Sequence, residues 1–401
     1  MYDTPAGRRT PAPPRKGGTP WISPHPGATG NLSGDSGALA GQVPGIRRIL
    51  IVKLSALGDV AHALPVIDYL RNAAPGAELD WAVDRRFAPI LEGNPGLRRV
   101  VPLDLSRWKR EWSTADARRS FAAGLRELRA GGYDAAFDIQ GNIKSGVVTL
   151  LSGAPVRWGF GRDGVREAPN LLFTNRKVRL RPEDRHIAEK ILRVASAPFG
   201  IPFDLSALKS DIVTGEAENA VAAEIARDRI PGATPLMVLH PGTTWVTKRM
   251  DPSFWAGAVR GLRERIPGAG VLLSWGNEEE RQEAERIREA AGGAVALLPR
   301  LTLKELAAVY RACGFVMAPD TGPLHIAAAV GARTVSVFRA TDGNRNAPRG
   351  PGHRFLQAPL PCTACLRKAC DRDAECRASI PARDAAEEMA QLVAAGAGPG
   401  G

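Results

Sequence analysis

RILIVKLSALGDVAHALP, residues 48–65, is the stretch whose reading decides the fold. Ile49, Leu50, Ile51 and Val52 make a short apolar run rich in β-branched residues, the pattern of a strand buried in a parallel sheet. A polar turn from Lys53 to Asp59 follows it. Pro65 then opens a helical pattern in which Val66, Ile67 and Leu70 share one side while Asp68 and Arg71 face away. Ligands of open α/β sheets sit beyond the carboxyl ends of the strands, so this order carries Asp59 to where chemistry occurs. A carboxylate there can take a proton from an incoming hydroxyl, or it can do no more than cap the helix. The residues alone leave both readings standing.

Outward from this stretch the alternation of strand and helix recurs. Strands are expected at 79–83, 99–103 and 133–139, and helices at 117–130, from about Lys144, and at 186–197. A mixed linker spans 200–215. A second series then begins, with strands at 236–239, 270–276, 314–318 and 334–338 and helices at 254–265, 278–291, 303–312, 323–330 and 382–394. The pattern implies two doubly wound α/β domains, 47–208 and 209–394, facing a cleft. Residues 1–46, dominated by Pro, Gly, Ser and Thr, are expected to form a disordered extension, and 395–401 a disordered tail.

The 401 residues, 44% apolar and 24% charged, supply core enough for more than one domain. The net charge of +12 favours anionic partners, whether nucleic acid, phosphorylated sugar or an acidic membrane face, without choosing among them. No apolar run approaches the roughly 18 residues of a membrane span. No basic-then-apolar signal pattern opens the chain, so the expected location is the cytoplasm.

Four short segments carry candidate chemistry. In PDTGPLH, residues 319–325, a strand end meets a cap, a first-turn proline and a histidine. The free N–H groups of such a helix start, with the helix dipole, attract an anion; a tidy cap with a packed histidine is the plainer reading. In HPGTT, residues 240–244, two hydroxyls are followed by Lys248, a set suited to a pyrophosphate. WGNEEE, residues 275–280, ends another strand, and one of its carboxylates is placed to accept from ribose hydroxyls. RWKREW, residues 107–112, interleaves aromatics with bases and suits an anionic acceptor or a membrane surface. Cys362, Cys365, Cys370 and Cys376 offer four thiols, but the second CxxC knuckle of a zinc site is missing, and no metal is expected.

Together ILIVKLSALGDVAHALP (49–65), LDWAVDRRFAPILEGNPGLRRVVPLD (79–104), DIQGNIKS (138–145), LHPGTTWVTKRMDPSFW (239–255) and APDTGPLHIAAAVGARTVSVF (318–338) resemble the ADP-heptose–lipopolysaccharide heptosyltransferases, glycosyltransferase family 9. The second segment, with RWKREW, is most similar to members that add the first heptose to Kdo on lipid A. The resemblance implies a GT-B fold, two Rossmann-like domains facing a cleft, with the acceptor on the first and the nucleotide-sugar on the second. It places the catalytic base on Asp59. Donor contacts fall on Thr243, Thr244, Lys248, Asp320, Thr321, Gly322, Leu324 and His325, with Glu280 at the ribose. Lys53, Arg107, Lys109, Arg110 and Lys144 are the bases expected to meet the acceptor. ADP-heptose is the implied donor, and no cofactor is required for the chemistry. The implied partners are a lipid A–Kdo glycolipid and the cytoplasmic face of the inner membrane, at which the protein is peripheral, and not nucleic acid. The chain departs from the family where Gly-Pro-Thr-Asp-Pro is usual, reading Arg339-Ala340-Thr341-Asp342-Gly343. The rival readings are a relative using another sugar or acceptor in surface-glycan assembly and a non-catalytic nucleotide-binding partner of that pathway. A nicotinamide-dependent oxidoreductase would need G-x-G-x-x-G after the first strand, where only Gly58 stands.

Overall fold

Two parallel sheets of six strands each are built one after the other along the chain. The structure, a computed structural model, describes residues 45–396; the expected disorder before 45 and after 396 lies outside the described residues. In the first sheet β1 (Arg48–Val52), β2 (Glu78–Asp84), β3 (Arg99–Leu103), β4 (Ala135–Asp138), β5 (Val156–Phe160) and β6 (Arg176–Val178) take the order β3-β2-β1-β4-β5-β6. In the second, β7 (Leu236–Leu239), β8 (Gly270–Leu273), β9 (Val295–Leu297), β10 (Phe315–Pro319), β11 (Arg333–Phe338) and β12 (His353–Gln357) take the order β12-β11-β10-β7-β8-β9. Both are the doubly wound order, and the order in which strands are added turns back between β1 and β4 and between β7 and β10, all strands staying parallel.

The first series of helices is α1 (Leu57–Ala61), α2 (Pro65–Ala73), α3 (Leu105–Glu111), α4 (Ala115–Arg129), α5 (Ile143–Leu151) and α6 (Ile187–Ser196). The second is α7 (Glu216–Asp228), α8 (Pro252–Arg265), α9 (Glu278–Ala291), α10 (Leu303–Cys313), α11 (Gly322–Ala329), α12 (Gly343–Asn346), α13 (Asp373–Ala378) and α14 (Ala382–Gly396).

The period of two along β1 splits its side chains between two cores. Ile49 and Ile51 pack with Leu70 and Trp81, whereas Leu50 and Val52 pack with Leu103, Leu128 and Val148. A strand wholly buried on both faces is the reason its sequence is a continuous apolar run. Each such side chain contributes about 1.5–3 kcal/mol by leaving water. The first of these cores continues into the second half of the chain, through Val238, Tyr310, Val316 and Ile326. The described residues belong to one compact unit, and the two sheets share apolar contact.

Three expectations need correction. The turn after β1 is shorter than expected, because Leu57–Ala61 forms a single helical turn; five residues are too few to display a period of 3.6. The strand expected to reach Gly276 ends at Leu273. The last helix runs to Gly396, so the first residues of the expected tail are helical.

Candidate active site

The backbone after β1 is fixed from the neighbouring strand. The Leu54 and Ser55 N–H groups donate to Gln140 Oε1 at 2.6 and 3.1 Å. Gln140 sits in a turn built around Asp138, wholly buried at the end of β4. Asp138 accepts from the Gln140 and Gly141 N–H groups, from Ser145 Oγ and from Asn170 Nδ2, at 2.6–3.0 Å. Burial pushes its carboxyl up despite these donors.

Asp59 is thereby presented at the end of the sheet. It occupies the third position of α1 and its Oδ2 accepts from the Ala56 N–H at 3.3 Å. The helix-capping reading is therefore true of α1, though not of the helix at Pro65, and it leaves the carboxylate 31% exposed. Lys53 Nζ lies 3.9 Å from the same oxygen and Arg166 Nη1 3.6 Å. Lys53, expected to touch the acceptor, is instead buried beside Asp59, directly after the end of β1. Burial lowers its ammonium pKa, and the Asp59 charge opposes that shift.

The second half supplies a matching turn. Asp320 follows β10 and is buried; its Oδ2 accepts from Lys248 Nζ at 2.7 Å and from Thr341 Oγ1 at 2.6 Å, and its Oδ1 lies 3.5 Å from His325 Nε2. Burial alone would raise this carboxyl, but the His325 hydrogen bond and the Lys248 charge prevail and hold it below the usual carboxylate range. Lys248 Nζ also stands 4.7 Å above the Trp245 ring. Thr243 Oγ1 donates to the Asp320 carbonyl at 3.3 Å, while Thr244 is exposed. Thr321 is the N-cap of α11 yet makes no side-chain cap bond, and Pro323 lies in the first turn. The first-turn N–H groups of α11 thus point out of the helix with no side chain of their own cap upon them.

Glu280 lies at the start of α9, where its Oε2 accepts from the Gly276 N–H at 2.8 Å. Its side chain lies so close over Gly242 that a Cβ there would come within 2.4 Å of the Glu280 Cδ. Leu324 corrects the expectation in part. Its side chain is buried with Ala318, Phe338 and Ala347, so only its backbone can face a donor.

The two turns meet. A Cβ on Gly58 would sit 2.7 Å from His325 Cδ2, and one on Gly322 2.8 Å from Leu57 Cδ2. Only glycine permits α1 and α11 to approach this closely. His62, one turn along, lies with its ring centroid 4.0 Å from that of His325, tilted by 45°, and meets His186 edge-on at 5.5 Å. The sequence reading passed over Gln140, Asp138, Thr341 and His62. For the first two the signal was a polar cluster straight after a strand, in the segment DIQGN.

The expected acceptor bases are divided. Arg107 and Arg110 both pair with Glu111, at 3.1 and 3.0 Å, and their hydrogen bonds hold its carboxyl below the usual range. Lys109 and Lys144 are exposed. At the departure from the family pattern, Arg339 is buried and donates to the Asp373 carbonyl and carboxylate at 2.7 and 2.5 Å and to the Arg249 carbonyl. It ties the loop after Lys248 to the cysteine-bearing segment. The four clustered cysteines are free thiols, and among the described residues no group of three or more His, Cys, Asp or Glu side chains is gathered as a metal set. No helix among the described residues is long and apolar enough to cross a membrane.

Comparison with known proteins bears on this geometry. Residues 121–374 match the family model described as glycosyltransferase family 9 (heptosyltransferase). Lipopolysaccharide heptosyltransferase 1 of Pseudomonas aeruginosa is 33% identical over 326 residues, covering 80% of this chain and 87% of that protein. Among solved structures, E. coli heptosyltransferase WaaC with ADP superposes with a TM-score of 0.69 at 27% identity, covering 86% of this chain and 99% of that one. The same enzyme with ADP-2-deoxy-2-fluoro heptose gives 0.63 at 29% identity, covering 80% and 97%. The architecture is the two-sheet arrangement of those enzymes.

Proposed function

Because this chain belongs to glycosyltransferase family 9 and is a glycosyltransferase, we propose that it moves a heptose from ADP-heptose to the inner core of lipopolysaccharide, with Kdo on lipid A as the acceptor. The reaction is a single displacement with inversion. Asp59 takes the proton of the acceptor hydroxyl as its oxygen attacks the anomeric carbon, through a transition state of oxocarbenium character. ADP leaves with growing negative charge. The first-turn N–H groups of α11, Lys248 and the hydroxyls of Thr243, Thr244 and Thr321 meet that charge, while Asp320 orients Lys248. Glu280 takes the ribose hydroxyls. Lys109 and Lys144, with Arg107 and Arg110, face the anionic acceptor at the cytoplasmic surface of the inner membrane. The domains of the reading are 47–208 for the acceptor and 209–394 for the donor.

The observation that carries this reading is the close approach of Gly58 to His325 and of Gly322 to Leu57. It sets the turn bearing Asp59 against the turn bearing Asp320 and the start of α11. The test is product analysis with ADP-heptose and Kdo–lipid A for the wild type and Asp59→Asn. Asp59→Asn is expected to lose about a thousandfold in kcat while ADP-heptose binding is unchanged. Near-wild-type turnover by Asp59→Asn would remove the base from the mechanism.

A further inference from the structure

A cavity of about 280 Å³ opens between α3, α4 and α5, on the first half of the molecule and apart from the two turns. Its walls are hydrocarbon: Leu103, Phe121, Leu125, Leu128, Val148 and Leu151 contribute to them. Gly124 forms part of the wall, and a Cβ there would press on Trp108 at 3.1 Å, so the glycine lets the indole lie against α4. Trp108 is locked in that position by its Nε1–H bond to Ser120 Oγ at 3.2 Å and by edge-on packing on Phe121 at 5.1 Å. A space this large admits water, but water inside it would find few hydrogen-bond partners. At its edge the cavity leaves Ile143 42% and Val147 36% exposed, which is unusual for apolar side chains side by side on one helix.

Charge says what covers it. Among the described residues the only ionisable groups lining the cavity are Lys109 and Lys144, both exposed, with Arg107 and Arg110 on the same short helix as Lys109. An apolar slot with a cationic rim complements an amphiphile: hydrocarbon within, anionic group at the mouth. One wall of the slot, α5, follows the Gln140 turn in sequence. Ile143 and Lys144 open α5 after its Asn142 cap, two residues beyond Gly141, whose carbonyl accepts from the Arg166 N–H at 2.9 Å, and the Arg166 guanidinium lies 3.6 Å from Asp59.

We propose that this cavity seats one acyl chain of the phosphorylated glycolipid acceptor, with Lys109 and Lys144 on its anionic head. The inference rests on the acceptor class proposed above and adds to it a subsite for the lipid. Acceptor recognition is then divided between saccharide at Asp59 and hydrocarbon at α3–α5, and a deacylated acceptor forgoes the second part.

The test compares acylated Kdo–lipid A with its fully deacylated counterpart for the wild type and for Val147→Trp, which fills the mouth from a half-exposed position. Val147→Trp is expected to raise KM for the acylated acceptor about tenfold, or ~1.4 kcal/mol, with KM for the deacylated acceptor and for ADP-heptose unchanged. Equal effects on both acceptors, or on neither, overturn the proposal. Dodecyl phosphate, but not inorganic phosphate, should bind the wild-type protein and compete with the acylated acceptor; failure to bind overturns the proposal even if the variant does not fold. Should Val147→Trp lose binding to phosphatidylglycerol vesicles while keeping its KM for acylated acceptor in detergent, the face is a bilayer contact and the acyl subsite falls. If neither acceptor receives a heptose, the proposed function fails by itself, and dodecyl phosphate binding still decides the cavity.

Discussion

Asp138 and Asp320 stand at the same place in two copies of one topology, at the end of the fourth strand of each sheet, and their carboxyls meet opposite surroundings. Asp138 is surrounded by neutral donors from its own turn and from Asn170, and the helix that follows is capped by the Asn142 side chain. From that turn Gln140 reaches 86 residues back to hold the β1 turn. Asp320 instead meets Lys248, Thr341 and His325, and the helix that follows has no side-chain cap. The first carboxyl is pushed up and the second held down. One scaffold position thus serves twice, once as an internal brace and once as an open anion cradle, and the presence of a cation decides which.

The largest effect should come from removing that cation's partner. Asp320→Asn leaves the Lys248 ammonium, 16% exposed, without a counter-ion and is expected to cost about 3 kcal/mol of stability in urea unfolding. Donor phosphates then replace the lost charge, so ADP-heptose should raise Tm more in Asp320→Asn than in the wild type. Asp138→Asn turns an amide NH2 toward buried donors and is expected to cost about 2 kcal/mol, with the wild-type response to ADP-heptose. Equal responses in the two variants would erase the distinction drawn between the turns.

Gln140 sharpens the comparison from the braced side. Gln140→Ala removes the acceptor of the Leu54 and Ser55 N–H groups and lets the turn before Asp59 relax. A fall in kcat of about tenfold, ~1.4 kcal/mol, is expected with donor Kd unchanged. A variant that loses donor affinity instead would mean that the brace serves the second half, not the first.

Much of this difference was written locally, and part of it was not. The apolar run at 49–52 is continuous because both faces of β1 are buried, so the strand and the site at its end could be read directly. PDTGP likewise announces a strand end, a cap and a first-turn proline within five letters. The strands β6 and β12 were not legible, since Arg176–Val178 and His353–Gln357 lie at sheet edges, where charged residues interrupt the apolar pattern, and β9, Val295–Leu297, is too short to show one. Helix α7 escaped because its Glu- and Ala-rich face buries only Ala222 and Ile225. The wiring of the site was beyond local reading for another reason. Gln140 with Leu54, Lys248 with Asp320 and Arg339 with Asp373 join residues far apart in sequence, and no single segment records its partner. Leu324 shows the converse: a motif named the position, but only the fold reveals that the side chain faces the core.

The smallest effect separates the two helix starts themselves. Asn142 Oδ1 accepts the Ser145 N–H at 2.9 Å, whereas Thr321 makes no such bond to α11. Asn142→Ala is therefore expected to cost about 1 kcal/mol in urea unfolding and to leave KM for ADP-heptose alone. Thr321→Ala removes no cap, so its stability should stay within about 0.5 kcal/mol of the wild type. Its cost should appear as a higher KM for the donor, because a hydroxyl released from capping is free to donate to phosphate. If Thr321→Ala unfolds as easily as Asn142→Ala and binds ADP-heptose normally, the start of α11 is an ordinary cap, and the cradle must lie with Lys248 alone.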